Sequence, residues 1–103
     1  MFGNGSKDED NMLAEQQRID SAKQYFMAEI FKELDRARAK FPTQGTLHTL
    51  AALTEEIGEL NQAIIQYNFE PDKRVDVPEI RKEAIQCIVM VMRVLFDTDL
   101  KAK

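Results

Sequence analysis

Leu53-Thr54-Glu55-Glu56-Ile57-Gly58-Glu59-Leu60 sets three glutamates into an otherwise apolar helical segment. An ionised carboxylate beside a hydrophobic stripe destabilises a fold unless a cation meets it or its pKa shifts. The octet therefore marks a helix and a candidate cation site together. Around it, Leu47, Leu50, Leu53, Ile57, Leu60 and Ile64 recur at helical spacing, which predicts an amphipathic helix over residues 47–67 with this stripe as its core face. At about 100° per residue, Ala52, Glu56, Glu59 and Ala63 form an adjoining face of small residues and acids. Glu55 falls elsewhere on the helix, beside Gln62 and Gln66.

Upstream, residues 13–40 contain neither proline nor glycine, and Ile19, Ala22, Phe26, Ile30, Leu34, Ala37 and Phe41 follow a three-to-four spacing. This predicts a first amphipathic helix, with Lys and Arg in its last turns as the helix dipole favours. Phe41-Pro42-Thr43-Gln44-Gly45 ends it, and Thr46 is a candidate cap for the second helix. Residues 1–12 are polar and acidic and are expected to form a flexible tail, leaving residues 13–103 as the domain.

Downstream, Asp76 with Glu79 three residues later resembles a capping box, and Pro78 suits a first helical turn. A third helix is expected over residues 79–96. Between Ala84 and Phe96 only Gln86 and Arg93 are polar, so this helix must be covered on nearly all sides. The run is shorter than the ~20 residues a membrane span needs. A buried β-strand is disfavoured by the capping signal and by length. Three helices leave apolar surface uncovered, so the expected fold is all-α: an antiparallel bundle of three main helices completed by homo-oligomerisation, as a homodimer or homotetramer.

With 103 residues the chain is one small domain. Its 18 acidic and 14 basic residues give a net charge of −4, with the bases scattered, which argues against nucleic acid as a partner. One cysteine, Cys87, fits a reducing compartment, and the N-terminus has no apolar stretch of secretory type; a soluble cytoplasmic protein is expected. A single His and a single Cys offer no nucleophilic triad, and the glycines form no phosphate loop.

Glu83 and Gln86 repeat on the third helix the spacing of Glu56 and Glu59 on the second. If the two helices pack through these faces, three carboxylates and one amide converge. Such oxygen ligands suit Mg²⁺, or Mn²⁺ in its place. A glutamate pair at this spacing is common on solvated faces; two such pairs on separate helices, one within an apolar run, carry more weight. His48 lies on the side of Glu59 but about 16 Å along the axis, too far to share an ion. Arg93 is expected to pair with an acid of another helix, and Gly58 to let another helix approach closely.

Glu55-Glu56-Ile57-Gly58-Glu59, the 23 residues 60–82 and then Glu83 with Gln86 resemble the E-E-x-x-E, spacer, E-x-x-D pattern of the MazG-like all-α nucleoside triphosphate pyrophosphohydrolases. His48 to Thr54 and Leu60 to Ala63 also look like this family's second helix, and the resemblance covers about residues 24–97. It implies Glu56, Glu59, Glu83 and Gln86 as metal ligands and Glu55 as a supporting catalytic acid beside Glu56. It further implies Mg²⁺-dependent cleavage of a nucleoside triphosphate to monophosphate and pyrophosphate, with the base in a pocket lined by Phe26, Ile30 or Phe41. Gln86 stands where the family pattern has Asp, which removes one negative charge. The alternative is a non-catalytic nucleotide sensor or helical interaction module with a weakened metal site.

Overall fold

A computed structural model describes residues 3–42 and 45–97 of the chain. They form three helices and no strand: α1 (Gly3–Lys40), α2 (Thr46–Phe69) and α3 (Val77–Phe96). The all-α class follows from the periodicity that the sequence displays. Residues 98–103 of the expected domain lie outside the described residues.

The helix ends have local causes. α1 stops where Pro42 follows Phe41, and the Phe41 N–H still donates to the Ala37 carbonyl at 2.7 Å. α2 is capped by Gly45 and not by Thr46, which is already helical. Gly45 has φ 93°, a backbone conformation that a Cβ penalises, so glycine suits this entry turn. α3 starts as the sequence signals: the Asp76 carboxylate accepts from the Glu79 N–H at 2.9 Å, with Pro78 in the first turn. Residues 1–12, read as a tail, are helical from Gly3 onward. That stretch contains no proline, and a helix nucleated by its packed portion extends at the gain of one hydrogen bond per residue.

α3 is the central element. It packs against both α1 and α2, whereas no Cα of α1 comes within 8 Å of a Cα of α2 among the described residues. α3 thus links the other two helices. The radius of gyration is 18.9 Å, against about 13 Å for a compact chain of this length. The core is correspondingly small: Ile30, Leu34 and Ala37 of α1 close on Val89 of α3, with Ile85 and Met92 packed beside them.

The buried side of α2 is the face of small residues and acids together with part of the apolar stripe. Thr49, Ala52, Leu53, Glu56, Leu60 and Ala63 are buried or half-buried, while Leu47, Leu50, Ile57 and Ile64 of the apolar stripe are exposed, Leu47 at 79%. Small residues let the helix backbones approach, and Leu47, Leu50, Ile57 and Ile64 of the stripe are left free. Gly58 has nothing within 4 Å of a Cβ built on it, so no helix of this chain approaches it. Among the described residues, no helix is long and apolar enough to cross a membrane.

A charged lock joins the C-terminal ends of α1 and α3. Arg93 is buried; its Nε donates to Asp97 at 3.2 Å and its Nη2 to the Phe41 carbonyl. Arg38 of α1 reaches the other Asp97 oxygen at 2.9 Å. The acid that Arg93 meets thus lies on its own helix cap and not on another helix. Asp97→Ala leaves a buried guanidinium short of its counter-charge and should cost about 3 kcal/mol in urea denaturation. Arg38→Ala, at a half-exposed site, should cost less than about 1 kcal/mol.

Candidate functional site

Glu56 and Glu59 stand one turn apart on α2, and α3 carries Glu83 to them. One carboxylate oxygen of each lies within 4.8 Å of the others. The convergence is a product of the small-residue contact: Ala52 and Ala63 bracket the acids and bring α3 close enough to seat Glu83 against them. Glu56 and Glu83 are half-buried and Glu59 is exposed. One oxygen of Glu56 and one of Glu83, Oε2 in each case, is buried without a hydrogen-bond partner. A buried acceptor left in that state costs about 1–3 kcal/mol.

Burial pushes the Glu56 pKa above the ordinary carboxylate range, and the charges of Glu59, Glu83 and Glu55 push it further. Burial, followed by Glu59, does the same to Glu83. Cys87 is half-buried beside them; burial and then the three glutamates raise its thiol, which keeps it protonated and a poor nucleophile. The donor set, hard oxygens with two of them unmatched, is chemically suited to a small divalent cation.

These shifts fix a sign for the pH dependence of stability. Glu56 and Glu83 hold protons more tightly folded than unfolded, so their contribution is complete below about pH 4.3 and is lost as pH rises through their raised values. Glu15 and Glu33 are shifted down by arginine partners and lose their contribution only as pH falls below the ordinary range. Metal-free protein should therefore melt at falling temperature as pH rises from about 4.5 through the raised values of Glu56 and Glu83, and Glu56→Gln should flatten the slope. A melting temperature that climbs over this interval in EDTA would contradict the burial of these acids.

Gln86, expected as a fourth oxygen ligand, is held from α1 through its amide nitrogen, not through the oxygen that would ligate a metal. Its amide nitrogen donates to Glu33 Oε1 of α1 at 2.8 Å. Glu33 in turn receives Arg36, through Nε at 2.8 Å and through Nη2. The Arg36 bond is the main cause that holds Glu33 below the usual carboxylate range; burial opposes it and Gln86 assists. An amide at position 86 carries donors, and the nearest strong acceptor on α1 takes one.

A cavity of about 320 Å³ opens between the end of α1, the start of α2 and α3. Glu55, Glu56, Gln86, Arg36, Arg93, His48 and Phe41 line it. Glu55, placed by angular position beside Gln62 and Gln66, thus shares the cavity with Glu56. Of the first-helix residues considered for a base pocket, Phe41 borders this cavity, Ile30 is in the core, and Phe26 lines a separate cavity of about 550 Å³ between α1 and α3. Sequence reasoning missed Glu33 and Arg36. Their three-residue spacing and opposite charges signal an ion pair, but nothing in the sequence shows that α3 would reach it. No family model, no curated protein and no solved structure matches the chain.

Proposed function

We propose that the chain is a MazG-like nucleoside triphosphate pyrophosphohydrolase that uses Mg²⁺, with Mn²⁺ as a substitute. The observation that carries the reading is the meeting of Glu56, Glu59 and Glu83 from two helices, with two of their buried oxygens unmatched, next to a cavity of ligand size. Glu56, Glu59 and Glu83 would hold the metal, whose chemistry is to draw charge from phosphate oxygens and make a water acidic enough to attack. Glu56 borders both the acid cluster and the cavity, so a triphosphate in the cavity lies beside the metal site. Glu55 is exposed on the same wall, placed to accept a proton from the water. Water adds to the α-phosphorus, the α–β phosphoanhydride bond breaks, and monophosphate and pyrophosphate leave.

The assembly we propose is a homodimer or homotetramer in which a second copy covers the exposed stripe of α2. One observation favours a second reading, a nucleotide sensor or interaction module without turnover: the Gln86 amide, which donates to Glu33, adds no negative charge to the three carboxylates. Thermal melts in EDTA, Mg²⁺ and Mn²⁺, each with and without nucleotide, followed by pyrophosphate release across an NTP and dNTP panel, separate the two. Ligand at a hundred times its dissociation constant should stabilise the native state by about 2.7 kcal/mol. Metal-dependent stabilisation with turnover supports the enzyme, and stabilisation without turnover supports the sensor. A melting temperature indifferent to metal and nucleotide removes both.

A further inference from the structure

Two guanidinium groups stand on the wall of the cavity beside Glu55 and Glu56, and they differ in exposure. Arg93 is buried, with its Nε and Nη2 spent on Asp97 and the Phe41 carbonyl. Arg36 is half-exposed, and Glu33 holds it through Nε and Nη2. A guanidinium has five N–H donors, so each grip leaves three, and Arg36, with its side chain 50% exposed against 9% for Arg93, is the one that can offer them to a ligand. Arg36 and Gln86 line both the acid-lined cavity and its larger neighbour, and so form the partition between them.

Glu33 is itself tied down. The Gln86 amide crosses from α3 to bond it, one of the few side-chain links between α1 and α3 among the described residues. We propose that Arg36 is the cation that grips the polyphosphate in this cavity, held at its edge by Glu33, which Gln86 fixes from α3. The assignment rests on the nucleotide reading above and names a residue that the E-E-x-x-E pattern does not contain. Gln86 is then a positioning residue that acts through Glu33. Its amide is required there, since a carboxylate would lose the donor and face Glu33 with a like charge. An arginine fixed before binding also surrenders less rotamer freedom to its ligand than a free one.

This inverts the effect expected of a carboxylate at position 86. As a metal ligand, Glu in place of Gln would tighten binding; as the support of Glu33 and Arg36, Gln must remain neutral. The probe is inorganic tripolyphosphate with Mg²⁺, titrated calorimetrically into the full chain, with the Mg²⁺-only melt measured alongside. Arg36→Ala should weaken tripolyphosphate binding by about tenfold or more, the size expected for a lost charge-assisted bond, and Arg36→Lys should recover part of it. Gln86→Glu should weaken binding several-fold, and in both variants the dependence of affinity on salt should become shallower. Stabilisation by Mg²⁺ alone should persist in Arg36→Ala, which shows that the acid cluster is intact. Wild-type affinity in Arg36→Ala, or tighter binding in Gln86→Glu, overturns the assignment while leaving the metal reading in place. A wild-type chain that binds Mg²⁺ but no tripolyphosphate overturns the assignment too, and one that binds neither overturns both.

Discussion

Glu56→Gln should abolish pyrophosphate release, with a loss of about 10³-fold or more, and should at the same time make the metal-free protein more stable at neutral pH. The two effects share one cause. Glu56 is half-buried, one of its oxygens has no partner, and Glu59, Glu83 and Glu55 surround it with like charge. Ionised without a cation, it opposes folding; with one, it supplies the attraction on which catalysis depends. Glutamine keeps the shape and removes the charge, so repulsion falls while metal affinity is lost. Steady-state release assays at saturating Mg²⁺ measure the first effect, and melts in EDTA at pH 7 the second. Loss of activity with loss of stability would point to a merely structural glutamate, and retained activity would exclude Glu56 as a ligand.

How much of this was legible in the sequence depends on whether the cause was local. The start of α3 was readable because Asp76 and Glu79 are neighbours along the chain and their bond needs no other element. The convergence of Glu56, Glu59 and Glu83 was readable from two spacings and one assumption about which faces meet, and the acids lie as that assumption requires. That most of the apolar stripe would stay exposed was not readable. Leu50, Ile57 and Ile64 are the more hydrophobic candidates, yet Ala52 and Ala63 go to α3, because close approach of backbones outweighs side-chain size at that contact. Long-range polar pairings were hidden for the same reason. Gln86 with Glu33 and Arg93 with the Phe41 carbonyl each join residues more than fifty positions apart, and helical periodicity carries no information on them.

If a second copy covers α2 as proposed, replacing Ile57 and Ile64 together by lysine should convert the assembly to a monomer and lower its melting temperature by about 10 °C or more. Leu50, Ile57 and Ile64 recur every seven residues, with Leu53 and Leu60 between them, the spacing of a seam between helices. All three are exposed in the single chain, and so are Phe69 at 80% and Leu95 at 75%. An apolar side chain of this size gains about 1.5–3 kcal/mol when covered, and in a two-fold interface each position acts twice. A lysine at each site removes that gain and brings like charges together across the axis, so the dissociation constant should rise by at least about a thousandfold, near 4 kcal/mol. Sedimentation of wild type and variant at micromolar concentration reads the change directly. A wild-type chain that sediments as a monomer would refute the covering of α2 by a second copy. If the assembly forms as proposed, the double variant should also lose Mg²⁺-dependent stabilisation, because α2 carries the stripe on one face and Glu56 and Glu59 on the next, and a helix that frays on the first cannot hold the second in register.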